Sequence, residues 1–235
     1  MYSQKESDPK LHSFISNIAK RKTIIFVFVM VLLTLLILKW QNWIHPGYLT
    51  RDPSAILEAP FYIGIISNIG ILMWCASTSI CFFTFAITRK HSTAMMSSFL
   101  LGSGAINCLL LFDDFFLLHE EVFPGYLYNY LYTSEKRVVA IYLMFGLWYA
   151  WKNRKIILKT RFLLLIIAIS CFLLSVVCDQ ATSYFPEAWV KDGTKIIIED
   201  GFKFLGIVSF IYYYINFCFD YINQVFGHKG EGRIN

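Results

Sequence analysis

Charged residues are scarce in this chain of 235 residues: 16% are charged, whereas 57% are hydrophobic. Soluble domains carry about 25% charged residues, so the composition excludes an ordinary soluble enzyme. The mean hydropathy is +0.53, and the apolar residues come in the long runs that lipid-facing helices require. The sequence therefore predicts an all-α, polytopic bundle of membrane helices.

Paired cysteines and clustered histidines are also missing. The six cysteines contain no C-x-x-C pair and fall within apolar runs, which argues against a disulfide framework or a thiolate metal site. Four of the five histidines lie in tails or loops, so a three-histidine zinc site is hard to assemble. No G-x-S-x-G, H-E-x-x-H or P-loop motif occurs. The acidic residues are left as the main candidates for chemistry.

The apolar runs predict six transmembrane helices, since only helices satisfy the backbone within hydrocarbon. They cover Thr23–Trp40, Phe61–Ile87, Thr93–Leu118, Arg137–Trp151, Arg161–Cys178 and Lys195–Phe219. The predicted organisation is a cytoplasmic N-terminal segment (1–22), a six-span domain (23–225) and a cytoplasmic tail (226–235). The basic "KRK" before the first run has no cleavage site after that run, which predicts a retained anchor.

The charges are divided unequally between the two sides of this topology. Six spans place both termini on one side, together with 14 of the 21 Lys and Arg residues. The opposite side carries 12 of the 16 Asp and Glu residues. By the positive-inside rule, the termini are cytoplasmic and the acidic side is extracytoplasmic. The net charge of +5 therefore indicates cytoplasmic loops facing anionic lipid rather than a nucleic-acid partner.

Carboxylates gather at the outer ends of the third, fifth and sixth predicted spans. The stretches that carry them are "LLLFDDFFLLHEEVFPGY", "VVCDQ" and "IIIEDGFKFLG". They supply Asp113, Asp114, Glu120, Asp179, Glu199 and Asp200, together with His119 and Lys203. Three separate helices thus bring acid to one side of the membrane at a similar depth. This arrangement predicts a shared polar site.

Helical spacing refines the third span. Asp114 shares a helix face with Asn107, and Ser103 is a helical neighbour of Asn107, so a polar stripe runs inward from the cluster. His119 is rotated roughly 120° from Asp113 on an ideal helix. It is expected to join the cluster only if the helix end unwinds or another span reaches it.

So many neighbouring carboxylates cannot all ionise without compensation. Three kinds of compensation are possible: some carboxylates take up protons, some pair with Lys203, or the cluster binds a cation. Lys203 can reach Glu199 or Asp200 on its own helix. The candidate metal ligands are Asp113, Asp114, Glu120, Asp179, Glu199, Asp200 and His119. Oxygen ligands suit Ca²⁺, Mg²⁺ or Mn²⁺, whereas His119 favours Mn²⁺ or Zn²⁺. Alternatively, these residues are interfacial side chains that extend to water or cap helices.

The motif L-x-x-D-D-x-F-x-L-H-E, together with the later "IIIEDGFKFLGI", resembles a group of uncharacterised bacterial multi-span proteins. The resemblance covers about 107–210, implies a bacterial inner (plasma) membrane and brings no established activity. A weaker similarity is to alkaline-ceramidase-like membrane hydrolases, which place an acidic motif near a zinc ion at a span end. This sequence lacks their intramembrane histidines and their H-x-x-x-H, which argues against a zinc amidase.

Three functions are compatible with these observations. The first is an integral membrane protein that binds a cation or protons on its outer side, in ion transport or in a response to ions or pH. The second is a metal-dependent hydrolase that acts on lipids. The third is an accessory subunit of a larger membrane complex. The expected partners are the lipid bilayer and either further copies of the chain or other subunits.

Overall fold

The computed structural model describes residues 25, 26, 28–126, 135–181, 184–191 and 193–227. Within these ranges the chain is helical and contains no strand, which confirms the predicted all-α class. The predicted cytoplasmic segments lie outside the described residues, except for residues 226 and 227 of the tail.

The chain divides into two units, Met1–Ile63 and Gly64–Asn235. The first unit contains α1 (Phe28–Trp40), α2 (Pro46–Thr50) and α3 (Pro53–Ile56). Asp52 caps α3, because its Oδ1 accepts a hydrogen bond from the Ser54 N–H at 2.8 Å. Pro53 occupies the first helical position, where its missing N–H costs nothing.

The second unit contains the longer helices and every residue of the predicted site. Its elements are α4 (Ile65–Thr88), α5 (Ala94–Phe116), the π-helical segment π1 (Leu118–Tyr126), α6 (Glu135–Lys152), α7 (Arg154–Ile157), α8 (Leu163–Gln180), α9 (Glu187–Lys191) and α10 (Thr194–Gly227).

Four helices in the described part of the chain are long and apolar enough to cross a membrane: α4, α5, α8 and α10. They are consistent with an integral membrane protein. The described part of the first predicted span is the shorter apolar helix α1. The fourth predicted span corresponds to α6, whose first three residues are charged and whose last is Lys152. These charges shorten the apolar stretch that α6 presents.

The centre of the second unit is aromatic. Helix α10 packs against α8 and α4, and α4 packs against α5. The buried core includes Phe99, Tyr213, Tyr214 and Phe217. Two glycines allow rings to approach closely, because a Cβ atom at Gly104 or Gly206 would lie 2.6 Å from a phenylalanine ring atom. The six cysteines are free thiols.

Helix α6 contacts α5 through long side chains. Tyr142 and Tyr149 are seven residues apart and therefore lie on one face of α6. The hydroxyl of Tyr149 donates to the Phe99 carbonyl at 2.7 Å, and the hydroxyl of Tyr142 donates to Asp113 near the C-terminal end of α5. These tyrosine side chains span the gap between the two helices, and that gap forms part of the cavity described below.

Candidate functional site

The turn after α5 orients His119. Leu117 has φ 51° and ψ 45°, a left-handed conformation that costs an L-residue about 1–2 kcal/mol. The chain then continues as π1. As a result, the His119 N–H donates to Asp113 Oδ1 at 3.1 Å, and His119 Nδ1 lies 2.5 Å from Asp113 Oδ2. This change in helix geometry brings His119 next to Asp113. A change of the helix end was one of the two conditions under which the sequence predicts that His119 joins the carboxylates.

Asp113 is buried and receives three hydrogen bonds. Two come from the backbone and ring of His119, and the third comes from the Tyr142 hydroxyl, 3.0 Å from Oδ1. A buried carboxylate needs such partners, because an unpaired one would be strongly destabilised. Asp113 therefore fixes the ring orientation of His119 and joins α5, π1 and α6.

The second ring nitrogen of His119 faces Glu120, with Nε2 3.5 Å from Oε1. Burial lowers the pKa of His119, and so does the positive charge of Lys203. The hydrogen bond to Asp113 and the negative charges of Asp113 and Glu120 raise it. The raising effects are larger, so the pKa of His119 lies above its usual value. The protonated ring therefore stabilises the fold fully below its ordinary pKa of about 6.5. This stabilisation is lost as the pH rises through the higher, folded-state pKa.

Asp114 on α5 forms an ion pair with Lys203 on α10. Lys203 Nζ on α10 lies 2.7 Å from Asp114 Oδ1 and 3.7 Å from Glu120 Oε1. The intrahelical partners expected for Lys203 were Glu199 and Asp200, so the geometry differs from the expectation. Asp114 Oδ2 is buried and has no hydrogen-bond donor among the described residues.

Lys195 is a basic group that sequence reasoning missed. Its Nζ contacts Glu199 Oε2 on the same helix and lies 3.7 Å from Asp179 Oδ1 on α8. Lys195 precedes Glu199 by four residues, a spacing that predicts a helical ion pair.

The predicted polar stripe lies inside the bundle. Asn107 and Ser103 are fully buried. Ser77 on α4 donates to Asn107 Oδ1 at 2.6 Å. The Asn107 side chain donates to the Ser103 carbonyl, and the Ser103 hydroxyl lies 3.0 Å from that of Tyr149. These bonds hold α4, α5 and α6 together.

Metal coordination was the other use proposed for the acidic residues. In the described residues, no group of three or more His, Cys, Asp or Glu side chains is placed to hold a metal ion. Lys203 and Lys195 contact four of the carboxylates, and His119 contacts Asp113 and Glu120. The cluster therefore compensates much of its own charge, and a metal site stays a prediction.

A cavity of about 580 Å³ connects these residues. Its polar end is formed by Asp113, Asp114, His119, Glu120, Asp179, Gln180, Glu199, Asp200 and Lys203. Its walls are mainly apolar side chains of α5, α6, α8 and α10, including Phe99, Leu110, Leu147, Phe172 and Ile207. All seven predicted metal ligands line the cavity, whereas Ser103 and Asn107 are not among its lining residues.

A family described as "Domain of unknown function (DUF8692)" matches residues 24–217. The chain belongs to this family. The matched range contains π1 and the whole polar end of the cavity, and the family is consistent with the uncharacterised group that the motif resembles. No curated protein and no solved structure matches the chain.

Proposed function

We propose that the chain is an integral membrane protein whose outer-side acidic cluster binds protons and acts in ion transport or in a response to pH. The proposal includes six spans, cytoplasmic termini and a bacterial inner membrane. Four apolar helices support membrane insertion, and the unequal distribution of Lys and Arg supports the orientation.

The observation that carries this proposal is the His119–Asp113 pair at the polar end of the cavity. Histidine is the side chain whose charge changes near neutral pH. The charged groups that act on it are Asp113 on α5, Glu120 on π1 and Lys203 on α10, and the Tyr142 hydroxyl on α6 donates to the same Asp113. Because both nearby carboxylates favour the imidazolium, the site holds a proton without a metal ion.

The geometry also supports a proton path. Glu120 is 40% exposed, whereas the side chain of His119 is 17% exposed and that of Asp113 is 7% exposed. A proton arriving from water meets Glu120 first and passes to His119 Nε2. Asp113 then holds the imidazolium through Nδ1. Carboxylate and histidine chains of this kind relay protons in membrane proteins.

Flux measurements in liposomes test the proposal. We expect purified chain in liposomes with an entrapped pH dye to conduct protons after an external acid step, and His119→Gln to reduce the rate at least tenfold. His91→Gln is the matched control, because His91 packs on Phe226 away from the cluster. Equal rates for wild type and His119→Gln would refute proton transport through this site.

The amphipathic cavity favours a second candidate, a membrane enzyme that acts on lipid. Such an enzyme would position a headgroup at the carboxylates and an acyl chain along the apolar walls. In its metal-dependent form it needs a metal-bound water, so lipid turnover that survives chelation would contradict that form. Assembly into a homo-oligomer or a larger complex stays a prediction from the sequence.

A further inference from the structure

The turn that joins α6 to α8, residues 152–161, is strongly basic. Five of its ten residues are Lys or Arg, and no Asp or Glu occurs in the sequence between Glu135 and Asp179. The last turns of α6 contact the start of α5 through the Tyr149–Phe99 hydrogen bond. This basic turn therefore lies at the end of the bundle opposite the acidic cluster, which is at the other end of α5.

The charge of the basic turn is not neutralised within the described part of the chain. The exposed basic side chains are Lys152, Arg154, Lys155, Lys159 and Arg161. None of them forms an ion pair with a carboxylate of the described residues. The lysines of the acidic cluster differ, since Lys195 and Lys203 are paired with carboxylates of the protein itself. The basic turn thus presents its charge to a partner outside the chain.

The basic turn is also held in a fixed position. Ile156 is buried in the aromatic core, and the Thr160 hydroxyl lies 3.1 Å from that of Tyr213. Arg161 Nη1 donates to Asn216 Oδ1 at 3.3 Å, which leaves other N–H donors of the guanidinium free. Because the backbone is already ordered, a ligand that binds here pays little for ordering it.

Aromatic and apolar side chains lie beside these charges. Lys152 Nζ is 5.1 Å from the centre of the Trp148 ring, and Arg154 Cζ is 4.7 Å from that of Trp151, as in cation–π contacts. Both rings are more than half exposed, and so is Leu158. Exposed tryptophan next to basic residues is typical of the membrane interface. A phospholipid matches this surface better than a soluble anion does, because it presents an anionic headgroup next to hydrocarbon.

We propose that the basic turn binds an anionic phospholipid of the surrounding membrane. Its phosphate lies among the lysines of the turn, and the upper part of its acyl chains lies against Trp148 and Trp151. Basic clusters directly after a transmembrane helix attract anionic lipid. The proposal goes further than this general attraction, since it assigns the lipid to one place on the bundle. It does not depend on proton binding by His119.

Quenching of tryptophan fluorescence by brominated lipid tests the proposal in bilayers. Bromine on an acyl chain quenches tryptophans that the chain contacts, so Trp148 and Trp151 report lipid at the basic turn. The full chain is reconstituted in phosphatidylcholine with a rising fraction of brominated phosphatidylglycerol or brominated phosphatidylcholine. We expect a quenching component that saturates at about tenfold lower mole fraction for phosphatidylglycerol. Trp148→Phe/Trp151→Phe should remove this component.

A charge variant tests the part played by the lysines. Lys152→Gln/Lys155→Gln/Lys159→Gln removes three exposed charges and leaves the contacts of Ile156, Thr160 and the Arg161 side chain in place. It should abolish the tenfold preference for phosphatidylglycerol, because each basic residue near the membrane surface adds to the attraction for anionic lipid.

The matched control is Lys39→Gln/Arg51→Gln/Lys191→Gln, which lowers the net charge equally at exposed positions outside the basic turn. This variant should keep the preference, and so should His119→Gln. Equal quenching by the two lipids, or an unchanged preference in the lysine variant of the turn, would overturn the proposal. Equal losses in the two triple variants would indicate attraction by net charge and would overturn it as well. A preference that disappears in millimolar inorganic phosphate would assign the site to a soluble anion and reject the lipid.

Discussion

Replacing Lys203 by methionine should destabilise the protein by about 3 kcal/mol, because it leaves the buried Asp114 carboxylate without its counter-charge. Methionine keeps most of the length of the apolar stem, so the change removes mainly the ammonium group that lies 2.7 Å from Asp114 Oδ1. We place the effect at the lower end of the range for buried pairs because the Lys203 side chain is 33% exposed. Equilibrium unfolding of the purified protein measures the loss.

The matched control for this prediction is Lys191→Met. Lys191 Nζ lies 2.6 Å from Glu187 Oε1, but both side chains are more than two-thirds exposed, at 73% and 81%. Exposed pairs contribute about 0–1 kcal/mol, so this variant should be nearly as stable as wild type. The double variant Lys203→Met/Asp114→Asn should recover part of the loss, since the unpaired charge is gone. Equal losses for Lys203→Met and Lys191→Met would contradict the buried pair.

The second large effect is expected at Gly206, where α10 meets α8. A Cβ atom there would lie 2.6 Å from Phe172 Cε1. Because Trp74 and Phe210 pack against the Phe172 ring, the ring can yield only by giving up these contacts and moving toward the cavity. Gly206→Leu should therefore cost about 2 kcal/mol through overpacking. It should also push Phe172 into the cavity, whose wall this ring forms.

Gly201 on the same helix provides a control of opposite sign. A Cβ at Gly201 meets no atom within 4 Å, and leucine is a better helix former than glycine by about 0.8 kcal/mol. Gly201→Leu should thus be neutral or stabilising in the same unfolding experiment. If both variants change stability in the same direction by the same amount, the close packing of Phe172 on Gly206 is wrong.

The long apolar helices could be predicted from hydropathy. The predicted spans Phe61–Ile87 and Thr93–Leu118 correspond closely to α4, Ile65–Thr88, and α5, Ala94–Phe116. Polar residues mark the ends of these helices in the sequence. Thr93, for example, caps α5, because its side chain accepts a hydrogen bond from the Met96 N–H. Helix α10 extends past the predicted end at Phe219 because its last turns are amphipathic, which a hydropathy window does not detect.

The details of the cluster could be predicted only in part. The sequence placed Asp113, Asp114 and Lys203 at one end of the bundle, but the left-handed Leu117 that turns His119 onto Asp113 carries no local signal. Leucine seldom adopts a positive φ, and the conformation accompanies the two hydrogen bonds between His119 and Asp113. The partner of Lys203 was equally hidden, since an intrahelical ion pair and an interhelical one require the same charges in the sequence.

The most direct test of proton binding by the cluster is the titration of His119 itself. Nuclear magnetic resonance of the protein labelled with ¹⁵N-histidine in lipid nanodiscs follows the histidine resonances with pH, and the signal lost in His119→Gln identifies this ring. We predict a midpoint above the ordinary value of about 6.5, which falls in Asp113→Asn because the supporting charge and its hydrogen-bond acceptor are removed. A midpoint at or below the ordinary value, unchanged in Asp113→Asn, would contradict a proton-binding His119–Asp113 site.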